Sequence, residues 1–435
     1  MNRENARHHI VVAGGGIAGL ELATMLARKN RHRANFLSVT LVDRDWAHVW
    51  KPMLHTIAAG TRDISQQQTP YLAQAHNSGF SFEPGEICGL DRNAHEIKLA
   101  ALHSPDGRLL VPERTLGYDT LVIALGSQAN DFATRGVSTW CRRIDSRQQA
   151  QAFNQEIRFR ILQCLAQDRQ LSIGIVGGGA TGVELAAELV QLTETSVAYG
   201  AHDLASRISI TLIEAGPKLL PAFPEDISAA TLHHLQALGV KVMTQAQVGS
   251  VDEHGFVLCD GTRIEASLKV WAAGVKAADF LNGFGGLESN RANQLLVKPS
   301  LQSTLDPDIY AVGDCASLQL PGMERPLPPT AQIAHQQAHH LIRHLPGAVL
   351  QGTPVPNFRH RDFGALVSLG EYGAYGSLGK FGFFKETTIR GRLAQFGHIA
   401  LYRSHQARLH GMVRGSLLWL VDSLNSRLRA RIRLD

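Results

Sequence analysis

After a polar start, the chain opens on an apolar run, Ile10-Val11-Val12-Ala13, bends through Gly14-Gly15-Gly16-Ile17-Ala18-Gly19, and continues as Leu20 to Ala27 with apolar residues at helical spacing. This pattern predicts a buried strand, a tight turn and a helix. A further apolar run, Val39 to Val42, predicts a second strand that ends on Asp43. The same figure recurs later: Leu171 to Val176, the turn Gly177-Gly178-Gly179-Ala180-Thr181-Gly182, the helical stretch Val183 to Leu189, and a strand Ile208 to Ile213 that ends on Glu214. A GxGxxG turn alone is a weak signal, but here both copies have the strand before and the helix after that the chemistry needs. The first glycine allows the tight bend, the second lets a pyrophosphate reach the backbone, and the third lets helix lie on strand. The helix N-terminus then faces the phosphates, and the acid at the next strand end can accept from a ribose hydroxyl. Two such units predict an α/β chain with two Rossmann-like domains and two dinucleotides. No Arg follows Glu214 closely, which favours NADH over NADPH at the second site. A plain strand-end cap is the alternative use of each acid.

Three more segments carry chemistry. Asp308 to Val312 reads as a buried strand whose terminal Gly313-Asp314 can bring a carboxylate to a polyol, or can simply be a turn. Thr330 is placed to cap a helix beginning Ala331-Gln332-Ile333-Ala334-His335-Gln336, with Gln332 and Gln336 on one face. If that N-terminus met a flavin ring, its dipole would favour negative charge there and the two amides could hydrogen-bond a carbonyl oxygen, as a quinone requires; an ordinary polar helix fits equally on physics alone. His335, His339, His340 and His344 share helical spacing without metal-type companions, so no metal is expected.

Composition narrows the class. With 435 residues, 44% of them hydrophobic, and 43 Lys and Arg against 38 Asp and Glu, the chain suits a globular protein of several domains rather than a disulfide-stapled module or a disordered tail. Five scattered cysteines, with no CxxC, fit a reduced compartment. The first apolar run is too short for a signal-peptide core, and no charge-free stretch is long enough to span a bilayer. From Lys385 to Asp435 the net charge is +7, leaving −2 for the rest, so the C-terminus calls for an anionic partner. There Met412-Val413, Leu417 to Val421, Leu424 and Leu428 form an apolar stripe with an interfacial Trp419, suited to a bilayer surface. Arg427 to Leu434 alternates strictly and is expected to be extended, with one cationic edge toward anionic lipid.

The segments Tyr118 to Ser127, Lys269 to Gly274 and Asp308 to Asp314 resemble the two-dinucleotide flavoprotein disulfide reductase superfamily. Its redox cysteine pair is missing, since no cysteine precedes Cys88; Trp50-Lys51-Pro52-Met53-Leu54-His55 stands in that region. The Ala331 to Gln336 motif, Trp50-Lys51-Pro52, Glu184, Gly313-Asp314 and Leu401 to Gln406 are similar to type II NADH:quinone oxidoreductases, most closely the proteobacterial ones. This resemblance covers essentially the whole chain. It implies non-covalent FAD at Gly14, Gly15, Gly16, Ala18, Gly19, Asp43, Lys51, Gly126, Gly313, Asp314, Ala331 and Gln332. It implies NADH at Gly177, Gly178, Gly179, Thr181, Gly182, Glu184, Glu214 and Gly274, and catalytic parts for Glu184, Gln332, Gln336 and Lys51. Glu184 also suits a helix start on dipole grounds. Lys380 and Lys385 compete for a cation the family tends to place near the quinone.

The expected arrangement is an FAD domain in two parts (1–130 and 286–352), an inserted NADH domain (131–285), and a membrane, quinone and dimerisation region (353–435). The expected activity is NADH oxidation through FAD onto ubiquinone or menaquinone, without proton pumping. A single-subunit enzyme, peripheral on the cytoplasmic face of a bacterial inner membrane and homodimeric, would do this. Two rivals remain: a sulfide:quinone oxidoreductase using Cys141, Cys164 and Cys315, and a redox-sensing flavoprotein whose basic tail binds nucleic acid. The tail lacks the aromatics of a base-stacking platform.

Overall fold

The computed structural model describes residues 7–31, 36–104, 106–167, 169–377 and 388–428. The chain forms two compact units, one from 1–50, 68–128 and 275–360, the other from 51–67, 129–274 and 361–435.

The first unit is built on a five-stranded parallel sheet ordered Ile309–Ala311, Thr120–Ile123, His8–Ala13, Leu37–Asp43 and Ser81–Pro84. Its central strand is wholly buried from Ile10 to Ala13, because a parallel sheet is covered on both faces and tolerates continuous apolar runs. The helix Ile17–Arg31 follows the first glycine turn and packs against the helix Ala331–Gln351. That second helix buries Ile333, Ala334, Gln337, Ala338, Leu341, Ile342 and Leu345, an i, i+3, i+4 stripe, and starts where the Thr330 hydroxyl accepts the Ile333 N–H at 3.3 Å. The expected cap and helix are therefore present. Between Ser81–Pro84 and Thr120–Ile123 along the chain, a three-stranded antiparallel sheet (Ile87–Asp91, Glu96–Leu99, Arg114–Gly117) carries the chain out of the parallel sheet and back.

The second unit repeats this plan. Lys241–Met243, Ile208–Ile213, Leu171–Val176 and Leu268–Trp271 form a four-stranded parallel sheet, and Val248–Val251, Gly255–Leu258 and Arg263–Glu265 form its antiparallel excursion. The short helix Leu54–Ala59, every residue of it buried, packs on the helices Arg147–Gln167 and Ala180–Ala198 of this unit. The segment 51–67 thus groups with the second parallel sheet, a correction to the 1–130 domain the sequence predicts. Residues 361–435 group there too, rather than standing apart. In that stretch Ala365–Ser368, Ala374–Ser377 and Thr388–Arg390 form an antiparallel sheet, followed by the helices Arg392–His410 and Met412–Leu428, which pack on each other.

One expectation needs correcting. Arg427 and Leu428 belong to the last helix, not to an extended strand; the apolar spacing from Met412 onward sustains the helical ladder through them. The remainder of that run, with Lys380 and Lys385, lies outside the described residues.

Candidate active site: two nucleotide turns and a buried carboxyl

Both glycine turns are closed by the same contacts. The Gly14 N–H donates to Val42 O at 2.8 Å, and the Gly177 N–H to Ile213 O at 2.8 Å. Gly14 and Gly177 have φ of 103° and 115°, conformations that an L side chain rarely adopts. A Cβ on Gly19 would collide with the Gly14 carbonyl oxygen, and one on Gly182 with that of Gly177, so helix and strand touch as the pattern requires. The strand-end acids do more than wait for a ribose. Asp43 accepts the Gly15 N–H at 2.5 Å and the Asp45 N–H at 2.7 Å. Glu214 accepts the Gly178 and Gly216 N–H groups, each at 2.6 Å. Each acid therefore holds the amide of the residue after the first glycine of its own turn, Gly15 and Gly178. Burial pushes the Asp43 carboxyl up to about 6, with the two N–H donors opposing the shift. Gly15 is further fixed by Tyr71, whose hydroxyl donates to Gly15 O at 2.9 Å and whose ring fills the space a Cβ would need.

The Gly313-Asp314 turn lies in the first unit. Asp314 accepts from the Ser127 hydroxyl at 2.7 Å, and its backbone carbonyl accepts from Gln294 Nε2 at 2.9 Å. Gly313 has φ 74° and sits against Ala334, with Ala18 of the first turn 4.0 Å from where its Cβ would be. The Gly313 N–H donates to Gln337 Oε1 at 2.7 Å. Ala331, Gln332 and Gln336 are half-exposed at the start of the same helix. His335 is not simply a solvated histidine: its Nδ1 lies 2.8 Å from Glu21, which is buried in the first helix. Gly126 and Gly274 both take positive φ, 70° and 67°, where each chain leaves its nucleotide sheet.

Glu184 belongs to the second unit, one turn into the helix Ala180–Ala198, while Gly179 is half-exposed and Thr181 exposed at its mouth. The Glu184 side chain is buried. One carboxyl oxygen accepts the Ser368 N–H at 3.0 Å and the other lies 3.3 Å from Nδ1 of His55, itself buried. Burial pushes this carboxyl up to about 8; the Ser368 N–H lowers it and the neighbouring Glu188 raises it. Lys51 stands in the same segment as His55, in a 3-10 turn, Lys51–Met53.

The residues present fit a flavin dinucleotide in the first unit. The turn is cleared of side chains by its glycines, an acid closes it, and a second acid, Asp314, sits on the adjoining strand end with a hydroxyl donor. His55, Gln337, Ser127, Ser368 and Tyr71 escaped the sequence reading. Two left a trace: Gln337 falls on the buried stripe of its helix, and His55 stands in the apolar run Leu54 to Ala59.

A family model for pyridine nucleotide-disulphide oxidoreductases matches residues 8–338. A type II NADH:quinone oxidoreductase of Haemophilus influenzae is 42% identical, with 98% of this chain and 99% of that protein aligned. The chain belongs to the type II NADH:quinone oxidoreductase family. A family member from Staphylococcus saprophyticus is 29% identical over 91% of this chain and 97% of its own length. Among solved structures, NDH2 of Plasmodium falciparum in complex with NADH superposes with a TM-score of 0.82 at 19% identity, covering 99% of this chain and 100% of that one. The sulfide:quinone oxidoreductase of Aquifex aeolicus reaches 0.70 at 16%, covering 97% and 95%. At such identities these two likenesses speak for the fold, whereas the family rests on the sequence matches.

Proposed function

We propose that this chain oxidises NADH and reduces a membrane quinone, with FAD held non-covalently by the first unit. The observation that carries this reading is the duplicated turn. Each copy is complete and each is closed by its own acid, so the chain is equipped for two dinucleotides at once. The Gly14 to Gly19 turn would take the FAD pyrophosphate, Asp43 the adenosine ribose and Asp314 the ribityl chain. The Gly177 to Gly182 turn and Glu214 would take NADH. FAD, when bound, supplies the two-electron relay between nicotinamide and quinone. Gln332 and Gln336 supply amides for a quinone carbonyl, and the helix N-terminus at Ala331 favours negative charge beside it. Lys51 and Glu184 would act from the second unit.

The intact second turn closed by Glu214 argues against sulfide as the reductant, since sulfide oxidation has no use for NADH, and burial of the thiols points the same way. A thiol needs a lowered pKa to work as a nucleophile, but burial pushes Cys141 up to about 12 and Cys315 up to about 11, and raises Cys164 as well.

No helix among the described residues is long and apolar enough to cross a membrane. The helix Met412–Leu428 exposes Met412, Val413, Leu417, Trp419, Leu420, Val421 and Leu428, which supports a peripheral seat on an anionic bilayer, on the cytoplasmic face of a bacterial inner membrane. A seat of that kind moves no protons across the membrane, in line with a non-pumping, single-chain enzyme. A homodimer is part of the reading; exposed Phe159, Leu162 and Leu165 along one helix offer an apolar strip for a second copy.

The test is an anaerobic visible spectrum of the purified protein before NADH, after stoichiometric NADH, and after a short-chain quinone. Bleaching by NADH followed by full recovery on quinone is expected. Bleaching by sulfide but not by NADH would overturn the reading.

A further inference from the structure

Three glycines in a row, Gly14-Gly15-Gly16, give the first turn wide freedom in its peptide planes, since neither Gly15 nor Gly16 has a side chain to oppose a flip. For an anion the orientation of those planes matters. In a trans peptide the carbonyl and the following N–H point opposite ways, so whatever holds the Gly15 carbonyl decides where the Gly16 N–H points. Two side chains hold it. The Tyr71 hydroxyl and Nδ1 of His48 each lie 2.9 Å from Gly15 O, and both residues are buried. A carbonyl only accepts, so the imidazole carries a proton on Nδ1 in this contact. Gly16 is exposed, and among the described residues nothing accepts its N–H.

The two donors are remote from the turn in sequence, and the first unit brings them to the same carbonyl. Ala47–Val49 pairs antiparallel with Gln68–Pro70, with His48 opposite Thr69, and the Tyr71 N–H donates to Trp46 O at 3.0 Å. Phe82 backs the Tyr71 ring, with centroids 5.1 Å apart. The second turn meets the same need by other means: the Gly178 carbonyl accepts from the Leu220 N–H at 2.7 Å. Of the two turns, the first alone depends on side chains for this hold.

We propose that Tyr71 and His48 are positioning residues for the flavin pyrophosphate, keeping the Gly15-Gly16 peptide turned so that the Gly16 N–H faces the phosphate oxygens. This inference rests on the reading that the first turn takes FAD. Without both donors the peptide is free to flip, and a carbonyl oxygen then meets the pyrophosphate where an N–H should. Because one acceptor serves two donors, loss of either leaves the carbonyl a partner, and loss of both strands it. The two losses are therefore coupled.

The test follows FAD release from the FAD-loaded protein after dilution, read as the fluorescence of free flavin, together with the 31P spectrum of bound FAD. Y71F keeps the ring and removes the hydroxyl, H48L removes the imidazole donor, and H48N keeps an N–H near the Nδ1 position. Y71F and H48L should each speed release about threefold, while the two together should speed it at least about thirtyfold, more than the product of the single effects. Y71F with H48N should return most of that loss. In Y71F with H48L the 31P resonances of bound FAD should move toward those of free FAD, which a loss of packing elsewhere does not produce. Binding of ADP-ribose, a non-reducing probe of the second turn, should be unchanged. Unchanged release in the double variant, effects that merely multiply, no recovery with H48N, an unmoved 31P spectrum, or an equal loss of ADP-ribose binding each overturns the proposal. Should H48L fail to fold, Y71F decides, and unchanged release from it overturns the proposal. If the unsubstituted protein takes up no FAD at all, the functional reading fails and this inference falls with it, a result distinct from any of the others.

Discussion

Gln337 Oε1 accepts the Gly313 N–H at 2.7 Å, so the helix that carries Gln332 and Gln336 is tied directly to the turn that carries Asp314. A shift of that helix strains this hydrogen bond, because Gln337 is buried and has no room to follow.

The Q337L substitution should leave the Gly313 N–H without its acceptor and cost about 1–3 kcal/mol, more than deletion of an exposed amide. Q337E keeps an acceptor and should recover part of the loss. Urea denaturation followed by circular dichroism measures both. Equal stability of all three proteins would remove the tie.

Ionisation of Glu184 should shape the stability of the second unit. Its folded pKa, about 8, lies above the ordinary 4.5, so the folded state holds the proton more tightly than the unfolded chain. That contribution is fully present below about 4.5 and is lost as pH rises through about 8. E184Q, which mimics the protonated form, should match the unsubstituted protein near pH 5 and exceed it near pH 9. Denaturation midpoints across that range decide the matter. Asp43 has the same sign with a lower window, from about 4 to about 6, so D43N should flatten the acid side of the curve for the first unit.

Arg403 and Asp422 join the last two helices, with Nη1 and Oδ2 2.7 Å apart and the carboxylate nearly buried. Beside them Tyr402 donates to Gln67 at 2.7 Å and accepts from Gln406 at 2.9 Å. Removal of one partner of a shielded pair costs more than the pair itself is worth, so D422A should destabilise this hairpin by about 3 kcal/mol. Limited proteolysis near Gly411 should accelerate. The double change R403M with D422L should recover much of the resistance, since apolar replacements leave no charge stranded.

Membrane seating should follow the exposed apolar side chains of the last helix. W419E with L420E is expected to abolish flotation with anionic vesicles and to leave the stopped-flow reaction with a water-soluble quinone intact. High salt should weaken flotation of the unsubstituted protein, because the attraction is partly screened charge. Retention on duplex DNA in place of vesicles would favour a nucleic-acid role for the basic tail.

The readable part of this molecule was local. Each glycine turn is announced by its own flanks, the acid by the end of the next strand, and the Thr330 cap by its helix. Periodicity reports on neighbours within a turn or a strand, so these elements appear where the pattern placed them. The contacts that escaped join distant parts of the chain: His55 with Glu184, Ser127 with Asp314, Gln337 with Gly313. No spacing rule reaches so far. The grouping of 51–67 with the second unit escaped for the same reason, since its short helix is buried all round and its spacing does not declare which neighbour it covers. Arg427 and Leu428 fall in the last helix because the apolar stripe from Met412 already fixes its ladder.

Asp43 and Glu214 each accept amides of their own turns, so the fold itself shapes both cradles. A ligand entering either cradle meets an already shaped surface and has little loop to freeze. Capture should therefore behave as a single encounter, with an observed rate that rises linearly with NADH concentration rather than levelling at the speed of an ordering step. The chain has spent its conformational freedom in folding, and recognition inherits the result.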